Sequence, residues 1–151
     1  ITLLASGISH SAIAAGGGSG GESNFSYGSG SSESTEMRKA KVAIAQEDFD
    51  RALEYLEQIR ADEPKNADAW NLTGFSLRKI GQYDGSEKAY IKALTLDPKH
   101  TQAMEYMGEL YLTIGQPEKA NALLKRLNGL CSFNCHDRDL LAKAIAAYKV
   151  K

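Results

Sequence analysis

Residues 67–100 read ADAWNLTGFSLRKIGQYDGSEKAYIKALTLDPKH, and residues 101–134 read TQAMEYMGELYLTIGQPEKANALLKRLNGLCSFN. Laid over each other, the two stretches agree where a chain is punctuated. Ala69 falls on Ala103, Trp70 on Met104, Gly74 on Gly108, Ile80 on Ile114, Gly81 on Gly115 and Gln82 on Gln116. The same offset separates Pro64 from Pro98 (98 − 64 = 34). A fixed period of this size means stacked copies of one small unit. Such an array offers an extended binding surface rather than a catalytic pocket.

Each unit divides into two helical halves. Ala52, Leu53, Leu56 and Ile59 recur at offsets of three and four, which predicts a helix from Phe49 to Ala61. A shorter one precedes it over 37–46, and Glu47-Asp48 separates the two. Asp62-Glu63-Pro64 stops the second helix, because the residue before a proline disfavours α conformation. Asn66 or Asp68 can cap the next, which runs from Ala67 to Ile80 and ends at Gly81. Its partner runs from Tyr83 to Leu96 and stops at Asp97-Pro98. The third pair covers Thr101 to Ile114 and Pro117 to Leu127, with Pro117 at a helix start. Asn128-Gly129 is expected to close that helix with a positive φ. A last helix, Asp137 to Tyr148, carries Leu140, Leu141, Ala144 and Ile145 on one face and reads as a terminal cap.

The composition excludes several classes. Across 151 residues the formal charge is −1, which gives no reason to expect a nucleic-acid partner. No apolar run reaches the roughly 18 residues that a membrane span needs. There is no Gly-rich phosphate loop, no H-E-x-x-H and no G-x-S-x-G, so the chain reads as non-enzymatic, with no catalytic residue, cofactor or metal. The three histidines are scattered, and His100, in a turn, is expected to be solvated.

The front of the chain is different. Residues 1–15 are small and mildly apolar and end near Ala12-Ile13-Ala14, an A-x-A pattern that suits a signal peptidase. This segment looks like the back half of a secretory signal. Residues 16–33 are mostly Gly and Ser and read as a flexible linker. The expected domain is therefore 34–150, in repeats of about 34–66, 67–100 and 101–132 with a capping helix at 137–150.

The second unit resembles the tetratricopeptide repeat, whose pattern is W-x2-L-G-x2-Y, then A-x3-F, then P. Trp70, Thr73, Gly74, Leu77, Ser86, Tyr90, Ala93 and Pro98 stand at those places. The third unit offers Met104, Met107, Gly108, Tyr111, Ala120 and Leu124. The first keeps Ala52, Leu56, Ile59 and Pro64, but Glu36 and Lys39 stand where Trp and Leu are usual. The resemblance implies an all-α, right-handed superhelical solenoid of three helix pairs plus a C-terminal cap. It also implies that Gly74 and Gly108 let the two helices of one repeat approach closely.

By the same resemblance, the leading helices line a concave groove that binds a protein or peptide partner. Its inward positions are Ser34, Met37, Lys41 and Ile44; Asp68, Asn71, Phe75 and Arg78; and Gln102, Glu105, Glu109 and Leu112. The candidate groove residues are Lys41, Asn71, Phe75, Arg78, Glu105 and Glu109, with Phe75 as the apolar anchor. The basic clamp that some family members use for acidic peptide ends is absent, since Gln102 and Tyr106 stand where Lys and Arg would be needed.

Cys131 and Cys135 are the only cysteines. In an exported protein they would form a local disulfide; in a reducing compartment they would be free thiols; a metal site would need ligands beyond His136. A short C-x3-C before a final helix resembles exported repeat proteins of Gram-negative bacteria. A periplasmic adaptor is the leading expectation. A self-assembling homo-oligomer that pairs through 37–44, and a thiol-linked regulator, stand as alternatives.

Overall fold

The computed structural model describes residues 33–133 and 135–149, and the expected signal and linker lie outside them. Seven helices follow one another: α1 (Thr35–Ala45), α2 (Phe49–Asp62), α3 (Ala67–Lys79), α4 (Tyr83–Leu96), α5 (Thr101–Thr113), α6 (Pro117–Leu130) and α7 (His136–Lys149). No strand occurs among the described residues.

Short polar side chains start the helices. Ser34 accepts from the Met37 N–H at 3.1 Å, Asp48 from Arg51 at 3.2 Å and Asn66 from Ala69 at 3.0 Å. Each satisfies a donor that has no partner inside the helix. His100 is not the solvated turn residue the sequence suggests. Its Nδ1 accepts from the Ala103 N–H at 3.3 Å, so it caps α5. With Nδ1 an acceptor, the ring proton sits on Nε2 and is donated to Asp68 Oδ1 at 3.0 Å. Residue 100 thereby ties α5 to the start of α3.

The turn inside each pair uses one left-handed residue. These are Glu47 (φ 58°), Gly81 (φ 80°) and Gly115 (φ 73°), spaced by the repeat period (81 − 47 = 34; 115 − 81 = 34). The first repeat thus places a glutamate where its successors use glycine. The expected break at Gly129 does not occur. Helix α6 continues to Leu130, closed by the Cys131 N–H bonding to the Leu127 carbonyl at 3.0 Å.

Each helix packs on the next, and α3 also packs on α5, as α5 does on α7. Direct contact among the leading helices curves the stack with α3, α5 and α7 along its inner side. Gly74 sets the tightest approach. A Cβ placed there would lie 2.7 Å from two ring carbons of Tyr90, which is fully buried on α4. Ser86 fastens the same spot by donating its hydroxyl to the Gly74 carbonyl at 2.7 Å. Gly108 departs from the expected role. Its missing side chain makes room for Leu141 of the cap, not for α6, because α7 packs directly on α5.

Two substitutions test this geometry. Gly74→Ala is expected to destabilise the domain by roughly 1–3 kcal/mol, since a rigid buried ring must move. Glu47→Gly is expected to stabilise it by about 0.5–1 kcal/mol, because glycine enters the left-handed region without the Cβ penalty. Urea denaturation followed by circular dichroism measures both. The reverse sign for either contradicts the account.

Candidate functional site

One rule of register organises the inner face. Asn71 Nδ2 donates to Gln102 Oε1 at 2.8 Å, Phe75 lies against Tyr106 with ring centroids 4.9 Å apart, and Arg78 Nη2 pairs with Glu109 Oε2 at 2.6 Å. All three contacts span 31 residues (102 − 71, 106 − 75, 109 − 78 = 31). That is the 34-residue period less three, about one helical turn. Helices α3 and α5 therefore meet one turn out of step. Applying this shifted offset to the sequence would have found Tyr106 as the partner of Phe75.

Phe75 is half-buried and belongs to an aromatic strip. Phe49, at the start of α2, meets it edge-on at 6.2 Å. The Lys79 ammonium stands over both rings, 5.8 Å from Phe75 and 5.9 Å from Phe49, and the Arg78 guanidinium is 5.6 Å from Phe75. Aromatic faces attract cations at such distances. Phe49, Lys79 and Tyr106 were not among the expected groove residues.

The expected residues divide by depth. Lys41 is exposed and paired with Glu33. Arg78 is largely covered, with 14% of its side chain exposed, whereas Glu109 keeps 36%. Met37, Asn71 and Glu105, one period apart, are all buried. Met37 packs in the apolar cluster with Leu56 and Ile59 and does not line the channel. Asn71 and Glu105 place polar groups in that buried column, fully covered and 2% exposed respectively. Asn71 Oδ1, Arg78 Nε and Glu105 Oε2 have no hydrogen-bond partner.

A lone buried carboxylate is expensive. Burial, and next the Glu109 carboxylate one turn away, push the Glu105 carboxyl up to about 8, while Arg78 opposes the shift. Near neutral pH Glu105 therefore holds its proton. Burial also raises the Tyr90 hydroxyl, which lies without a hydrogen-bond partner beneath the same helices.

The tetratricopeptide repeat model matches residues 43–90 and 77–129. The chain belongs to the tetratricopeptide repeat family. The family is generally a non-enzymatic repeat scaffold, and the match runs from the end of α1 through nearly all of α6. The chain is 29% identical over 77 residues to Superkiller complex protein 3 of Mus musculus, an alignment covering 51% of this chain and 5% of that protein. It is 32% identical over 94 residues to the peroxisomal targeting signal receptor of Candida albicans, covering 62% of this chain and 16% of that one. It thus spans only a small part of these relatives. Among solved structures it resembles the Arabidopsis OM64 TPR domain, with a TM-score of 0.67 at 15% identity, covering 75% of this chain and 93% of that one. MamA (41-end) from Desulfovibrio magneticus RS-1 gives a TM-score of 0.60 at 24% identity, covering 63% of this chain and 54% of that one. Both likenesses concern the helical-repeat fold.

The Glu105 shift predicts a sign for stability against pH. The folded state keeps a proton that the unfolded chain loses from pH 4.5 upward, until the folded group itself ionises at about 8. Its contribution is full below pH 4.5 and is lost as pH rises to about 8. The melting temperature of Glu105→Gln should therefore gain on the wild type steadily between pH 5 and 8. Parallel curves for the two proteins would contradict the buried, protonated carboxyl.

Proposed function

We propose that this chain is an adaptor that holds a segment of a partner protein in the channel along its leading helices and performs no chemistry itself. The observation that carries this reading is the half-buried Phe75, set between Phe49 and Tyr106 and bordered by charges of both signs. Apolar area centred among charged groups is how binding anchors are built. The segment that fits carries one apolar side chain to lie on the aromatic strip and charged groups on either side of it. That two relatives are named for a complex and for a receptor agrees with a binding role.

The adaptor is exported to the periplasm in this proposal. Support comes from the Ala12-Ile13-Ala14 pattern and from the cysteine pair. Cys131 and Cys135 lie side by side, with Cα atoms 5.7 Å apart, a separation that a disulfide spans. The bridge closes the turn between α6 and α7 and so fixes where the cap begins. A second reading, self-association, is favoured by Val42, which is exposed on α1. Light scattering separates a monomeric adaptor from a self-assembling array.

Phe75→Ala should weaken partner capture at least ~30-fold while leaving helical content intact, since losing a buried aromatic anchor costs roughly 2 kcal/mol or more. Glu109→Ala should weaken it less, by an amount that shrinks as salt is added. Cross-linking and affinity capture from the native host, with quantification of the bound partner, measure both. Normal capture by Phe75→Ala would remove the anchor. For the exported state, intact-mass analysis after alkylation should show no added label until reductant is supplied. Immediate labelling of both thiols in protein from its native compartment would contradict it.

A further inference from the structure

We propose that the stretch of the channel between α5 and α7 is a receptor for a cationic side chain, an arginine or lysine of the bound segment, seated against Glu105, Glu109 and Asp137. This rests on the channel reading above and adds the chemistry and the polarity of its ligand.

Glu105 and Glu109 lie one turn apart on α5, and Asp137 stands in the first turn of α7, which packs on α5. The charges acting on Glu105 come from Glu109 on its own helix, Arg78 on α3 and Asp137 on α7. The other two helices packed on α5 bring little charge. On α4, Tyr90 is neutral and Glu87 is bound to the Tyr111 hydroxyl at 2.9 Å, and α6 turns Ala120, Leu123 and Leu127 inward. One cation thus faces three acids, and Arg78 is committed to Glu109. Asp137 only accepts a hydroxyl, from Thr101 at 2.6 Å.

The second observation is independent of charge. Asn71 Oδ1 and Glu105 Oε2 are buried without a partner, and so is the Arg78 Nε–H, whose guanidinium reaches Glu109 through Nη2. Asn71 and Glu105 are one period apart on adjacent leading helices, and leaving such atoms unpaired is costly. The Asn71 amide oxygen lacks an N–H, and Glu105 becomes an acceptor at both oxygens once it ionises, so the groups that fit are N–H donors that carry positive charge. A guanidinium supplies five such donors and an ammonium three. Gln102, which is exposed and bonded to Asn71 Nδ2, is the side chain that an incoming group would displace. Neighbouring Tyr106 offers an aromatic face to the same cation, as Phe75 does to Arg78.

Seating a cation changes the protonation of the site. The Glu105 carboxylic acid gives its proton to solvent, and the resulting carboxylate pairs with the ligand. Binding is then coupled to release of one proton. Affinity should rise up to about tenfold per pH unit as long as Glu105 begins protonated. The ligand also acquires a direction, with its apolar anchor toward α1–α3 and its basic residue toward α5–α7.

The test uses two capped peptides, acetyl-Leu-Arg-Gly-Arg-amide and acetyl-Leu-Glu-Gly-Glu-amide, titrated into 15N-labelled protein at pH 6, 7 and 8. The basic peptide should shift the amides of Glu105, Glu109 and Asp137 and bind at least about tenfold more tightly than the acidic one. Its affinity should rise with pH. Glu105→Gln should abolish that rise, and Asp137→Asn should weaken binding at every pH, with circular dichroism showing that both variants remain folded. Equal binding of the two peptides that still depends on Phe75 overturns the cation site and leaves the channel reading intact. Absence of shifts at Glu105 and Asp137 with the basic peptide also overturns it. So does a pH dependence that survives Glu105→Gln.

Discussion

The contact between the Tyr90 ring and the backbone of Gly74 is the constraint on which the rest of the domain depends. It leaves no room for a side chain between α3 and α4 at that point, and Ser86 fixes their register through the Gly74 carbonyl. A pair held at that distance still has an uncovered apolar side. It is stable only when the next pair covers it, which is the general economy of repeat arrays. In the third repeat the corresponding glycine serves a different neighbour, admitting Leu141 of α7. After the third repeat a single helix, α7, packs on α5 through that glycine.

The inner face follows from this packing. Helices α3 and α5 touch one turn out of step, and that register brings Phe75 to Tyr106 and Arg78 to Glu109. It also buries the column of Met37, Asn71 and Glu105. The column is apolar in its first member and polar in the other two. Stability alone would favour apolar residues there, because buried polar atoms without partners lower it. A cost to folding at the floor of the proposed binding channel is what a site shaped for a ligand would show.

Much of the architecture is legible in the sequence because the repeat offset is written in residues with narrow roles. Gly81 and Gly115 stand where the backbone needs positive φ, and Pro64 and Pro98 stand where helices stop. Glu47 fills the same turn in the first repeat and is visible only by position, not by residue type. The channel is less legible. Periodicity places Asn71 and Glu105 on the inward side of their helices but cannot tell open channel from the seam between helices. That distinction depends on how near α3 and α5 approach, which is a property of the stack. The pairing of Tyr106 with Phe75 is not legible because that contact crosses between repeats at an offset of 31, not 34. His100 escaped because a histidine ring acting as a helix cap leaves no periodic trace.

The central claim is that this fold works by holding a partner segment along α3 and α5, across Phe75. The direct measurement is a crystal structure of the domain with a segment of a captured partner. The account predicts density running along the inner side of the leading helices, with an apolar side chain against Phe75 and Tyr106. Density confined to the outer side, over α2, α4 and α6, would contradict it.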